Sequence, residues 1–70
     1  MNSKYEIIIY WSYPDSAYIA EVPELPGCMA DGISYQEALS NAQIIIGHWL
    51  ETAAAQGRAI PEARGRLLFA

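Results

Sequence analysis

A single long amphipathic helix constrains this 70-residue chain more than any other feature of its sequence. The helix is predicted to begin after Ser34, because Ser34 and Glu37 form a capping box that satisfies unpaired amides of a first helical turn. Apolar side chains then recur at helical spacing over residues 35–53 and form one broad arc. Gly57 is predicted to end the helix, since glycine readily adopts the left-handed conformation found there. The arc must pack on other parts of the chain, which have to supply an apolar surface.

Short strand patterns supply that surface. Alternating apolar residues, β-branched and aromatic side chains and turn-forming Pro, Asp, Ser and Gly predict strands at residues 5–11, 17–22, 28–31 and 65–70. The first two strands are separated by a short turn, so they are predicted to form an antiparallel hairpin. The element order is β-β-β-α-β. This order predicts an α+β fold in which one helix packs on one face of the hairpin sheet.

One helix leaves the second face of the predicted sheet without cover. Apolar side chains nevertheless lie on both faces, as shown by Ile8 and Tyr10 in the first strand and by Ile19 against Tyr18 and Val22 in the second. A chain this short gains little more from burial than it loses in chain entropy, and small domains compensate with disulfides, a metal or oligomerisation. Cys28 is the single cysteine, so no internal disulfide can form. One His and one Cys do not make a zinc site. A homo-oligomer, a dimer or a tetramer, is therefore predicted.

Charge and hydropathy limit the class of protein. Four Lys and Arg against eight Asp and Glu give a formal net charge of −4, which argues against nucleic-acid binding. No apolar run is long enough for a membrane span or a signal peptide. A single cysteine fits a reducing compartment. We therefore expect one acidic cytoplasmic domain over residues 1–70.

Two linked motifs resemble the HicB-like antitoxin family. Residues 22–28 read VPELPGC, and residues 32–42 read GISYQEALSNA, which matches the start of that family's helix. The similarity continues through residues 57–61 and covers most of the chain. It implies a truncated ribonuclease-H-like fold without nuclease activity.

The same resemblance implies a function. Family members bind and block HicA, a small ribonuclease toxin, by protein–protein contact and without a cofactor. Many carry a further DNA-binding domain after this one, whereas this sequence stops at residue 70, so direct DNA binding is not expected. Two other functions stay open. One is an orphan homo-oligomeric regulatory or structural protein without a toxin, and the other is a divalent-metal nuclease with the same fold.

No residue pattern predicts a catalytic, metal or cofactor site, so the chain is not expected to be an enzyme. Two-metal cleavage needs several converging carboxylates, whereas the acidic residues here are scattered along the chain. His48 has no Ser or Cys at a spacing that suggests a catalytic triad. Cys28 is interpreted as a small buried apolar residue.

A stripe on the outer face of the helix is predicted to contact a partner. Gly47 in mid-helix costs about 1 kcal/mol relative to alanine, so a compensating role is expected. Ile44, His48 and Glu51 share its face, which points away from the predicted sheet. A glycine beside an apolar side chain lets another backbone approach closely. Glu24, in the proline-rich loop after the second strand, completes the predicted partner-binding set.

Overall fold

The computed structural model describes residues 4–61 of the chain. Its elements, in order, are β1 (Ile8–Ser12), β2 (Ala17–Glu21), β3 (Met29–Gly32) and α1 (Tyr35–Ala55). The strands form one antiparallel sheet in the order β1-β2-β3, and α1 packs on one face of it. The predicted α+β class is thus confirmed. The predicted last strand, at residues 65–70, lies outside the described residues, and the ribonuclease-H-like assignment stays a prediction.

Strand β1 starts three residues later than predicted. The β1–β2 ladder begins where Ile8 pairs with Glu21, and the preceding residues have no opposite strand. They are held by other contacts instead. The buried Tyr5 hydroxyl donates a hydrogen bond to the Pro61 carbonyl, and the Glu6 amide donates to Glu24 Oε1 at 3.5 Å. The segment before β1 therefore belongs to the core without belonging to the sheet.

The core lies between α1 and the sheet, in two clusters of buried side chains. The larger cluster contains Tyr5, Val22, Leu25, Cys28 and Ile46, and the smaller one contains Ala20, Ala38 and Ala42. The smaller cluster is made of alanines because the first half of α1 comes very close to β2 and β3. At Gly32, an added Cβ would lie 2.5 Å from the Ala38 amide nitrogen. Close packing of backbone against backbone therefore fixes the position of the helix on the sheet.

Both ends of α1 carry the predicted capping residues. Ser34 Oγ accepts a hydrogen bond from the Glu37 amide at 3.1 Å, which confirms the N-cap. The Glu37 carboxylate reaches the Ile33 amide, at 2.6 Å, and not the Ser34 amide expected for a capping box. At the other end Gly57 has a φ of 69° and donates to the Ala54 carbonyl. This confirms the glycine stop.

Substitution of Ser34 by alanine is expected to lower the free energy of unfolding by about 1 kcal/mol, because the Glu37 amide loses its acceptor. Thermal unfolding followed by circular dichroism would measure the loss. Ser40→Ala is the matched control, since Ser40 is an exposed residue inside α1 where alanine favours the helix. Equal effects of the two substitutions would contradict the role assigned to the cap.

Candidate functional site

The face of the sheet opposite α1, hereafter the open face, carries exposed apolar side chains. Its strands contribute Ile8, Tyr10, Ile19 and Met29, none of which belongs to either core cluster. Ile8, Tyr10 and Met29 are 38%, 40% and 50% exposed. Ile19 is only 8% exposed because its cross-strand neighbours shield it. The prediction that one helix leaves the second face uncovered holds for the described part of the chain.

Carboxylates alternate with the apolar side chains of the open face. The strand register places Ile19 between Tyr10 and Asp31 in one row across the sheet, and it places Glu21 between Ile8 and Met29 in the next. The open face is therefore a mixed surface, with acidic groups standing directly beside apolar ones.

The electrostatic potential at the open face is negative. The Tyr10 hydroxyl donates a hydrogen bond to Glu21 Oε2 at 2.8 Å. This hydrogen bond raises the pKa of Tyr10 above its usual value, and desolvation and the charges of Glu21 and Asp15 raise it further. The negative charges of Glu21 and Asp15 disfavour a further negative charge at Tyr10 and would favour a positive one.

A shallow cleft of about 290 Å³ opens at one side of this face, towards the β1–β2 turn. It is lined by Asp15, Ile19, Met29, Ala30 and Asp31. Asp15 is held in the turn by a 2.8 Å hydrogen bond from Ser12 Oγ. The cleft thus combines apolar walls with two carboxyl groups from separate segments of the chain.

An aromatic ladder on the helix side of the sheet was not predicted. Trp11 and Tyr18 pack edge to face with ring centroids 5.0 Å apart, and Tyr18 and Tyr35 lie 4.3 Å apart. Tyr13 extends the ladder beyond Trp11, at 6.1 Å, and is 84% exposed. Trp11 and Tyr18 are cross-strand partners, so the hairpin register would have indicated this pair. Large, partly exposed aromatic side chains of this kind are frequent in binding surfaces.

The predicted partner-binding stripe lies on α1, with Ile44, His48 and Glu51 exposed and Gly47 partly buried. Apart from the adjacent backbone of α1 itself, no atom lies within 4 Å of the position where a Gly47 side chain would begin, so the surface is open there. The Glu24 carboxylate accepts a hydrogen bond from the Glu6 amide, in the segment before β1. Binding by these residues stays a prediction.

Two shallow grooves run beside this stripe. One places Ile44 next to β3, where Asn41 Nδ2 donates to the Asp31 carbonyl at 2.8 Å. The other places His48 next to Trp49 and Arg58, with the Arg58 guanidinium 5.4 Å from the centre of the indole. The stripe therefore has apolar and polar borders along its length.

Trp49 ties the proline-rich loop to the helix. Its indole Nε1 donates to the Pro26 carbonyl at 3.0 Å, and its ring packs against the larger core cluster. Within the loop, the Cys28 amide donates to the Leu25 carbonyl and the Leu25 side chain is completely buried. The loop is thus a fixed part of the core.

Among residues 4–61, no group of three or more His, Cys, Asp or Glu side chains is placed to hold a metal ion. In the same range, no helix combines the length and the apolarity that crossing a membrane requires. Cys28 is 2% exposed and belongs to the core, as interpreted from the sequence. The described residues thus give the metal-nuclease interpretation no support.

The Cys28 thiol is expected to react slowly in the folded protein. Burial raises its pKa above the usual value, and the thiolate is the reactive form. A thiol-reactive dye at pH 8 should label the folded protein at least about tenfold more slowly than the protein in denaturant, because the fold must open locally before the dye reaches the thiol. Equal rates with and without denaturant would show that the thiol is accessible.

These features define a small α+β domain whose uncovered surfaces are apolar, aromatic and acidic, the kind of surface that marks interaction sites. A family model described as HicB-like antitoxin of bacterial toxin-antitoxin system matches residues 5–66, and the chain belongs to this family. The UPF0150 protein ssl0259 of Synechocystis sp. is 33% identical over 63 residues, which are 90% of this chain and 85% of that protein. No solved structure gives a significant match.

Proposed function

We propose that this domain neutralises a HicA-like ribonuclease toxin by protein–protein contact in the cytoplasm. The observation that carries the proposal is the match to the HicB-like antitoxin family over residues 5–66. The surfaces of the domain are consistent with binding, since its exposed apolar and aromatic side chains can be buried by a partner.

The distribution of charge supports a basic partner. Residues 5–57 contain neither Lys nor Arg. The acidic residues of this stretch are Glu6, Asp15, Glu21, Glu24, Asp31, Glu37 and Glu51. A ribonuclease that holds RNA must present basic groups to the phosphates. An acidic domain would attract such a surface and cover it, because complementary charge speeds association and selects partners.

Co-expression with the product of the adjacent open reading frame tests the proposal. The neighbour alone should stop growth, and growth should return when this domain is produced with it. The two proteins should then co-purify as a complex of defined mass. Persistent toxicity, or restored growth without a complex, would contradict neutralisation by contact.

An orphan homo-oligomer is the second candidate. The exposed aromatic side chains of Trp11, Tyr13 and Tyr35 favour it, because a second copy could bury them. A stable dimer or tetramer would lose subunits on dilution, so its melting temperature should fall with protein concentration. Sedimentation of the isolated domain would give the mass directly. A monomer with a concentration-independent melting temperature would rule this candidate out.

A further inference from the structure

We infer that the open face is the surface on which a basic protein partner docks, and that the cleft between Asp15 and Asp31 receives one of its arginine or lysine side chains. The inference rests on the proposed function, because it identifies where on this domain the basic toxin would bind. It differs from the predicted stripe on α1, which borders β3 only at Ile44 and otherwise runs along the helix.

The chemistry of the cleft matches a long cationic side chain. Such a side chain has an apolar stem and a charged end, and it lowers its free energy by burying the first and pairing the second. Ile19 and Met29 provide apolar contact for the stem. Asp15 and Asp31 provide carboxylate oxygens for the charged end, where hydrogen bonds between ionised groups are stronger than neutral ones.

Charge complementarity favours a basic partner over a second copy of this chain. Two copies packed symmetrically through this face would bring Asp15, Glu21 and Asp31 against the same residues of the other copy. Like charges placed together at an interface oppose association. The strands and turn that form this face, residues 8–21 and 29–32, contain no Lys, Arg or His to balance the carboxylates.

The two basic side chains of the described residues lie elsewhere. Arg58 stacks on Trp49 beyond the C-terminal end of α1, and Lys4 lies in the segment before β1. The cleft adjoins the β1–β2 turn, at the other end of the strand from Lys4. A cation for this cleft must therefore come from outside the described residues.

Titration of the ¹⁵N-labelled protein with a hexa-arginine peptide tests the inference without any toxin. Amide shifts should concentrate in β1, β2, β3 and the turn, and the Kd should rise with salt because the attraction is screened. The double variant Asp15→Asn/Asp31→Asn should bind the peptide about fivefold more weakly, since each exposed ion pair contributes about 0.5 kcal/mol. Asparagine keeps an acceptor for Ser12, so the turn is retained.

Glu37→Gln is the matched control, because it removes a carboxylate from α1, keeps an acceptor for the Ile33 amide and should leave the peptide Kd unchanged. If the double variant unfolds, Asp31→Asn alone can be used, and about a twofold loss is then expected. Shifts concentrated on α1, or equal losses in Asp31→Asn and Glu37→Gln, would overturn the inference.

Two further outcomes would identify another occupant and also overturn the inference. Open-face shifts that depend on protein concentration without peptide would point to a second copy. Open-face shifts caused by Arg64→Gln/Arg66→Gln without peptide would point to the chain's own C-terminal segment. If the peptide binds but the adjacent reading frame encodes no toxin, the proposed function is refuted and the assignment of the cleft is kept.

Discussion

Replacement of Gly32 by alanine is expected to remove a large part of the stability of the domain. The new Cβ would lie 2.5 Å from the Ala38 nitrogen and 2.8 Å from the Glu37 carbonyl carbon. Both are backbone atoms of α1, so the whole helix would have to move away from the sheet. We expect a loss of about 3 kcal/mol, the upper end for overpacking. A 70-residue domain has roughly 3–10 kcal/mol of stability in total.

Gly47→Ala is the matched control for this prediction. It adds the same methyl group to another glycine of the domain, at a position where no atom other than adjacent α1 backbone lies within 4 Å. Because alanine is favoured over glycine in a helix interior, this variant should be more stable by about 1 kcal/mol. Urea unfolding of the two variants would give both values. A folded, fully stable Gly32→Ala protein would refute the close approach of α1 to β3.

Replacement of Ile46 by alanine is the second substitution with a large expected effect. Ile46 is 1% exposed and joins the larger core cluster, where it packs with Leu25 and Val22. Truncation removes apolar contacts and leaves a cavity, which costs about 3 kcal/mol. The melting temperature should fall by roughly 15 °C in a domain of this size.

Ile44→Ala tests whether this loss comes from burial. Ile44 lies on the same helix but is 55% exposed, so its truncation should change the free energy of unfolding by less than about 0.5 kcal/mol. Equal destabilisation by the two substitutions would mean that α1 buries a different face. The Ile44 variant also tests the predicted stripe, because weaker toxin binding with unchanged stability would assign Ile44 to an interface.

Local signals in the sequence predicted the helix and most of the sheet. The N-cap at Ser34 and the stop at Gly57 depend on neighbouring residues alone, so the bounds of α1 were predicted within one residue. The first strand was predicted three residues too long, because its alternation continues into Tyr5 and Ile7. Those residues can pair only if a strand lies opposite them, and the alternation of β1 gives no information about where β2 ends.

The candidate site was predictable only in part. Alternation along the first two strands predicted apolar side chains on both faces of the sheet, one of them uncovered. The register of the strands then places Ile8, Tyr10 and Ile19 together on that face. The cleft could not be predicted from this alternation, because Asp15 and Asp31 come from separate segments that only the folded sheet brings together. The aromatic ladder likewise joins Tyr35 of the helix to the hairpin. Contacts between distant parts of a chain follow from tertiary packing, which a residue pattern does not specify.

The placement of the two tryptophans gives the domain two separate optical probes. Trp11 is 41% exposed and lies beside Tyr18 in the hairpin. Trp49 is hydrogen-bonded to Pro26, with Arg58 over its ring, beside the larger core cluster. The two indoles therefore report on different regions, and Trp11→Phe or Trp49→Phe leaves one emission signal. Fluorescence can thus follow events at the hairpin and at the proline-rich loop separately, without an added label.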